Sequence, residues 1–304
     1  MRILVTGANG FLGRGLADVV CKRFGTAERI VLTDLTSPMI GVGPVEMIPG
    51  DLGDPVFLHE LAEPGFDIVF HLASLPGSLA EREQALGHRV NLLGPLMLAE
   101  KLAARRSDTR LVFASSIAVY GDLGQKTVTP DTPCHPQLTY GAHKLMTEIM
   151  LADMARRNVL STISLRFPGI VARPLADNGH GSAFMSQLLH KIRTNEPFEC
   201  PVPADSVCWW MSRSAAVENL IHAATLPSSG ATVQPPVLHA TIAEVAEAAM
   251  RVTGNRPAIH YGDDGRLRRI FGSMPPLDAN LAISMGFRAD ADLETLVHAT
   301  FSGD

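Results

Sequence analysis

The sequence predicts an α/β protein: a doubly wound parallel sheet followed by a smaller C-terminal α+β lobe. Two observations carry that prediction. From Arg2 to Phe167, short apolar runs alternate with stretches of helical spacing, the rhythm of parallel strands joined by right-handed helical crossovers. Past Phe167, Pro168-Gly169 and Arg173-Pro174 interrupt that rhythm, and less regular helices follow. The division expected is a first domain over 1–167, to which 205–227 returns, and a second lobe over 168–204 and 228–304 that covers the carboxyl edge of the sheet.

Ile3-Leu4-Val5 reads as a strand buried on both faces. Gly7, Gly10 and Gly13 follow it, and helical spacing runs from Phe11 to Phe24. Strand, glycine turn and helix together aim free N–H groups and the positive end of a helix dipole at a phosphate. Gly7 suits the tight turn, Gly10 the approach of a pyrophosphate, and Gly13 the packing of helix on strand. The next strand, Arg29 to Asp34, closes on an acid about 20 residues past the glycines. A carboxylate there takes both adenosine ribose hydroxyls and repels a 2′-phosphate, which selects NAD over NADP.

Val45 to Leu52 predicts a third short strand closing on Asp51, with a helix through Phe57 to Leu61 behind it. Phe66 to Ala73 is the fourth strand, ending in small residues across which a cofactor can lie. A helix from about Ala80 to Ala104 follows, with Asn91 at mid-helix, where asparagine is disfavoured. A polar task is expected of Asn91, and a bond to backbone would serve as well as one to a ligand. The strand Arg110 to Ser116, the helix Tyr140 to Arg157 and the strand Ser161 to Phe167 complete the sheet. Gly7, Asp34, Asp51, Ala73 and Ser116 all fall at carboxyl ends of strands, where ligands of such sheets sit.

In the C-terminal third, Leu175 to Gly181 is a polar loop. Helices are expected near Ser182 to Arg193, Ser214 to Thr225, Thr241 to Thr253 with Gly254 as its stop, Ala279 to Met285, and Asp292 to Phe301.

With 304 residues, 46% of them hydrophobic, the chain can bury a sizeable core. A net charge of −5 offers no footprint for nucleic acid. Arg156-Arg157 and Arg266 to Arg269 read as solvated faces. No apolar run reaches the length of a membrane span, and the first strand begins so close to Met1 that no signal peptide fits before it. Cys21, Cys134, Cys200 and Cys208 lack C-x-x-C spacing and read as reduced thiols of a cytoplasmic protein. The histidines show no ligand spacing, so no metal is expected. The partner expected is a small molecule.

Tyr140 and Lys144 stand one turn apart at the start of a helix and share a face. Bringing a tyrosine from about 10 to about 7 takes roughly 4 kcal/mol. One ammonium at about 4 Å supplies that at an effective dielectric near 20. Lys144 is therefore expected to tune and Tyr140 to move a proton. Ser116, at a strand end on the same edge, can hold the oxygen that gives the proton up.

Thr6 to Gly13, Asp51-Leu52, His71-Leu72-Ala73, Asn91, Ser116 to Gly121, Tyr140 with Lys144, and the tail Leu281 to Phe287 together resemble an extended short-chain dehydrogenase/reductase of the NAD-dependent epimerase/dehydratase family, a Rossmann-type fold. That resemblance spans nearly the whole chain. It implies Ser116, Tyr140 and Lys144 as the catalytic set. It implies NAD held by Gly7, Asn9, Gly10, Phe11, Leu12, Gly13, Asp34, Asp51, Leu52, Leu72, Ala73, Asn91, Tyr140, Lys144 and Pro168, with Asp51-Leu52 at the adenine and Lys144 at the nicotinamide ribose. It implies a substrate held by Ser74, Ser116, Tyr140, Gly169 and Arg173 against the second lobe. A homodimer through a four-helix bundle, formed by the helices near Ala80 to Ala104 and Tyr140 to Arg157, also follows from it.

Two departures bear on the substrate. Members acting on nucleotide sugars carry R-x-x-N-x-Y-G-P, whereas Arg166 to Pro174 lacks the asparagine that meets the diphosphate. They also carry R-D-[FY]-x-x-V-x-D, whereas Val207 to Ser214 has neither the arginine at that place nor the aspartates. Losing charge-assisted hydrogen bonds of that kind disfavours a diphosphate. The segment is more similar to the D-erythronate dehydrogenase branch, which implies oxidation of a secondary hydroxyl of a small sugar acid. Arg173 is then expected to hold the carboxylate, with Arg213 second, and Trp209 and Trp210 form either lobe core or pocket wall. The rival readings are an epimerase or dehydratase that keeps its NAD, and a catalytically silent NAD-sensing or scaffold protein.

Overall fold

The computed structural model describes residues 1–37, 45–175, 181–227 and 230–302, so 176–180 of the expected polar loop lie outside the described residues. The first half runs β1 (Arg2–Thr6), α1 (Phe11–Arg23), β2 (Arg29–Asp34), β3 (Val45–Pro49), α2 (Pro55–Ala62), β4 (Ile68–His71), α3 (Gly77–Arg82), α4 (Gln84–His88), α5 (Gly94–Arg105), β5 (Arg110–Ser116), α6 (Thr139–Arg156) and β6 (Ser161–Phe167). The second half runs β7 (Gly169–Val171), α7 (Ala183–Thr194), β8 (Phe198–Cys200), β9 (Val207–Ser212), α8 (Arg213–Thr225), β10 (Ala231–Val233), β11 (Leu238–Thr241), α9 (Ile242–Thr253), β12 (Ile259–Tyr261), α10 (Gly265–Phe271), α11 (Asn280–Ser284) and α12 (Leu293–Phe301).

The large sheet has seven strands in the order β10-β6-β5-β4-β1-β2-β3, paired in parallel throughout. The chain winds outward from β1 to β2 and β3, then returns to the other side of β1 as β4. The order therefore reverses between β1 and β4, and their carboxyl ends open a crevice there. Alternate residues of each strand serve opposite faces. Ile3 and Val5 pack with Leu16, Val20 and Leu220 under α1 and α8, while Leu4 packs with Leu58, Leu98, Leu102 and Leu151 under α2, α5 and α6. Covering on both faces is why these strands are unbroken apolar runs.

The helix expected over Ala80 to Ala104 is interrupted. Glu83 breaks it between α3 and α4, and a π-helical turn, Arg89–Leu93, joins α4 to α5. Pro95, in the first turn of α5, has no N–H to give the Asn91 carbonyl, and the chain takes the wider turn just before it. Asn91 thus sits in a π turn rather than a regular helix.

Past β6 the small elements form a three-stranded sheet, β11-β9-β7, and a pair, β12-β8. Their core holds Trp210, Phe184, Leu188, Ile242, Val245 and Leu296. The stretch 205–227 is shared: β9 belongs to the small sheet, while the face of α8 joins the core under α1. β10 then extends the large sheet beside β6. Trp210 is lobe core, while Trp209 packs in a separate cluster with Val119, Tyr120, Val128 and Met274; both are buried, with their ring N–H groups on the Ala240 and Pro275 carbonyls at 3.0 and 2.8 Å. Thr241 and Glu244 cap α9 reciprocally and left-handed Gly254 ends it, as its spacing predicts. The arginines at 266, 268 and 269 lie on α10, a helix capped by Asp264. Among the described residues, no helix is long and apolar enough to cross a membrane.

Candidate active site

A cavity of about 580 Å³ opens at the carboxyl end of the sheet, over the crevice between β1 and β4. Its floor is the glycine turn. Gly7 has φ of +71°, and a side chain there would come within 2.6 Å of the Ala73 nitrogen. A Cβ on Gly13 would lie 1.9 Å from the Gly7 carbonyl, so only glycine lets α1 start so close to β1. Gly10 caps α1 with no side-chain partner, and the first turn holds no acid. The first N–H groups of α1 have no intrahelical acceptor and, with the dipole, face a cavity lined by Gly10, Phe11, Leu12 and Gly13. That uncapped, uncompensated helix start fits the pyrophosphate of NAD.

Asp34 borders the turn. One of its carboxylate oxygens accepts the Asn9 N–H at 2.9 Å and the other the Leu35 N–H at 2.8 Å, while the Asn9 amide gives to the Thr36 carbonyl at 2.9 Å. Two N–H groups leave a carboxylate with acceptor positions to spare. Asp51 accepts the Gly53 N–H at 2.8 Å and pairs with Arg89 at 3.0 Å, while Leu52 is buried against α2 and α5. Asn9, Asp34 and Asp51 lie outside the lining of the cavity, toward the ends of β2 and β3.

Ser116, Tyr140 and Lys144 all line the cavity. Ser116 ends β5 and accepts the Ala118 N–H at 3.1 Å, which fixes the short turn Ile117–Val119. A Cβ on Gly141 would stand 2.2 Å from the Ala118 carbonyl. The start of α6 is therefore pressed on the turn that carries Ser116, and Tyr140 arrives beside it. Lys144 gives a hydrogen bond to the Ala114 carbonyl at 2.7 Å and lies 4.6 Å over the Phe113 ring and 5.5 Å from the centre of the Tyr140 ring. Burial brings its pKa down to about 7, with Glu148 pulling the other way. Burial also pushes the Tyr140 phenol above its ordinary value, opposed by the Arg173 charge and by hydrogen bonding to Ser116 and Ser74. The charge that draws the Tyr140 phenol back is thus that of Arg173, arriving from beyond β7. Lys144 spends its ammonium on Ala114 and sheds its proton near neutrality.

Arg173 reaches the cavity just past β7. Its N–H bonds Ser186 at 2.9 Å, and its carbonyl accepts from His190 at 2.7 Å, which hold the backbone in place. Arg213 goes elsewhere. Its guanidinium lies 5.1 Å over the Phe11 ring and its stem runs along Gly15, on the side of α1.

The pattern of the NAD dependent epimerase/dehydratase family matches residues 3–231. The chain belongs to that family. It is 33% identical to the D-erythronate dehydrogenase of Cupriavidus necator over 316 aligned positions, which cover 98% of this chain and 97% of that one. Its fold superposes on the nucleoside-diphosphate-sugar epimerase of Agrobacterium tumefaciens with a TM-score of 0.91 at 28% identity, over 100% of this chain and 94% of that one. MoeE5, solved with UDP-glucuronic acid and NAD, matches with a TM-score of 0.79 at 26% identity, over 99% and 98%. This member of the epimerase/dehydratase family is an NAD-dependent oxidoreductase.

Seven residues expected in the site do not line the cavity: besides Asn9, Asp34 and Asp51, these are Leu52, Ala73, Asn91 and Gly169. Asn91 is buried and spends its amide on the loop after β4: Oδ1 accepts the Leu75 N–H at 2.7 Å and the Ser74 hydroxyl at 3.1 Å, and Nδ2 gives to the Leu75 carbonyl at 3.2 Å. A buried amide has to satisfy its own bonds, and here backbone supplies them. It orients Ser74 and the backbone of Leu75. Gly169 faces Met185, which a Cβ would approach to 2.7 Å, and its neighbours Pro168 and Ile170 take the wall. Sequence reasoning missed the opposite wall, where Leu75, Leu79 and Arg82 follow one another at helical steps into α3. Their spacing right after a strand's carboxyl end was the available signal. Among the described residues no group of three His, Cys, Asp or Glu could hold a metal ion.

Proposed function

We propose that this enzyme oxidises the secondary hydroxyl of a small sugar acid, a D-erythronate-like 2-hydroxy acid. The observation that carries the proposal is the half-buried Arg173, which lines the same cavity as Ser116 and Tyr140. A planar guanidinium fork grips a carboxylate through two parallel bonds. The glycine turn would hold the pyrophosphate of NAD, Asp34 the adenosine ribose, Asp51-Leu52 the adenine edge, and Lys144 the nicotinamide ribose. Bound NAD supplies the hydride acceptor.

The remaining work falls to the chain itself. Arg173 fixes the acid end, and Ser116 with Ser74 steadies the hydroxyl that reacts. Tyr140, as phenolate, takes the proton of that hydroxyl at its Oη. The Arg173 charge favours the phenolate until a carboxylate arrives to share it. The apolar wall of Leu75 and Leu79 keeps water from the reacting carbon.

An epimerase or dehydratase that retains its NAD is the second reading, favoured by the likeness to the Agrobacterium epimerase. The residues that would meet a sugar diphosphate are missing from Arg166 to Pro174, which weighs against it. A silent NAD sensor would not need Ser116, Tyr140 and Lys144 in one cavity. The deciding experiment is NADH formation with four- to six-carbon aldonic acids beside UDP- and dTDP-sugars. Net NADH from the free acids alone is expected, and turnover confined to nucleotide sugars would overturn the proposal.

Leu93, Met146, Ile149 and Met150 are exposed, the last three on one stripe of α6. That stripe fits a second copy of the chain in a four-helix bundle. Ile149→Lys should turn the dimer into a monomer by light scattering. The free thiols at Cys21, Cys134, Cys200 and Cys208 suit a cytoplasmic site of action.

A further inference from the structure

Tyr140, Lys144 and Glu148 follow one another at four-residue steps along α6 and share one face. The first two reach the cavity, while Glu148 lies a turn deeper and is only 3% exposed. Its Oε2 accepts from Arg166 Nη2 at 2.8 Å and its Oε1 from Arg166 Nε at 3.1 Å. Oε1 also accepts the Ser115 hydroxyl. Arg166 in turn lies 4.9 Å over the Tyr120 ring. Ser115 and Arg166 are register partners on β5 and β6, and the residues just after them, Ser116 and Phe167-Pro168, line the cavity. One carboxylate therefore ties the helix of the proton acceptor to both strands whose ends form the site. A buried ion pair is weak evidence for stability, because desolvation offsets its attraction. Its place directly behind the cavity points to a task there.

We propose that Glu148 is a positioning residue of this enzyme: anchored by Arg166 and Ser115, its negative charge one helical turn behind Lys144 keeps the Lys144 ammonium charged beside Tyr140. The inference rests on the reading of Ser116, Tyr140 and Lys144 as the reacting site. Around Lys144, α6 contributes Tyr140 and Glu148, β4 contributes His71, which burial keeps neutral, and β6 contributes Arg166, whose guanidinium is turned to Glu148. Glu148 is the anion of that set. Because burial already holds Lys144 at about 7, removing the anion would leave the lysine neutral at working pH.

The test reads Lys144 directly. The chain has five lysines, Lys22, Lys101, Lys126, Lys144 and Lys191, so ¹³Cε-lysine NMR resolves them, and the resonance missing from Lys144→Arg assigns the site. Spectra are titrated with and without NAD for the wild type, Glu148→Gln and Glu148→Asp, with circular dichroism as the check on folding. The Lys144 midpoint should fall by about 1 pH unit or more in Glu148→Gln and stay near the wild type in Glu148→Asp. The alkaline limb of turnover, where the ammonium is lost, should move to lower pH with it. If Glu148→Gln fails to fold, Glu148→Gln with Arg166→Met leaves no lone charge buried, and the Lys144 midpoint should still fall, by less because the Arg166 cation is lost with the anion. An unmoved Lys144 midpoint in a folded variant, or equal shifts in the Asp and Gln variants, overturns the proposal. The titration needs no substrate, so a chain that makes no NADH from any sugar acid would refute the substrate reading and leave this one standing.

Discussion

Tyr140 and Arg173 line the same cavity, and the Arg173 charge is the main force drawing the Tyr140 phenol back from the rise that burial imposes. On the proposed reading one guanidinium has two tasks, holding the substrate's acid and readying the base. Arg173→Met should raise KM for the sugar acid by about 10- to 100-fold, the loss of a charged bidentate hydrogen bond. It should also move the acid limb of kcat/KM to higher pH. The sign follows from the chemistry: Tyr140 acts once deprotonated, and without the cation that happens at higher pH. A change in KM with the limb in place would leave Arg173 as a carboxylate clamp alone.

Tyr140→Phe removes the proposed proton acceptor and keeps the ring packed. Turnover should drop by roughly 10³-fold or more, while NAD affinity by titration calorimetry stays within a few-fold of wild type. Substantial residual turnover would show that another group moves the proton.

The large sheet was legible because strands covered on both faces need unbroken apolar runs, and β1, β2, β4 and β5 carry them with clear edges. The break around Asn91 was not legible, since Pro95 near a helix start and Pro95 within a longer helix look the same in sequence. β7, β8, β10 and β12 span three residues each, too short for any periodicity to register. The placing of Tyr140 and Lys144 one turn apart at the cavity was readable, but the division of charge was not. Spacing along one helix says nothing of an arginine arriving from another strand, so the pull of Arg173 on Tyr140 was not legible. Asn91 shows the other limit: a buried amide reads alike whether it serves a cofactor or its own loop.

Asp34 holds two backbone N–H groups of the glycine turn besides its proposed ribose contacts, so its replacement has to keep the shape. Asp34→Asn removes the charge with little change of volume. The ratio of kcat/KM for NADP over NAD should rise by about 10-fold or more as repulsion of the 2′-phosphate is lost. An unchanged ratio would remove Asp34 from the ribose site.

Gly13→Ala places a methyl group 1.9 Å from the Gly7 carbonyl, where only a shift of backbone can relieve it. The variant should lose about 2 kcal/mol or more of stability by urea unfolding, in the range of overpacked cores, and bind NAD at least 10-fold more weakly. Wild-type affinity would mean that α1 can retreat without disturbing the turn.

His71 sets the behaviour in acid. Its Nδ1 lies 2.9 Å from the Thr6 hydroxyl, its ring stacks 5.9 Å from Phe113, and its Nε2 is buried with no hydrogen-bond partner among the described residues. Burial, aided by the Lys144 charge, lowers its pKa to about 3. The folded chain therefore keeps His71 neutral while the unfolded chain takes up a proton near pH 6.5, so stability present above about 6.5 drains away as the pH falls toward 3. At about 1.4 kcal/mol per pH unit, the loss by pH 4 is of order 3 kcal/mol. His71→Phe keeps a ring against Phe113 but gives up the Thr6 contact, at a cost of about 1 kcal/mol near pH 7. Its melting temperature should fall less steeply than the wild type's between pH 6.5 and 4, so that the two curves converge or cross. Parallel curves would assign the acid sensitivity to carboxylates elsewhere.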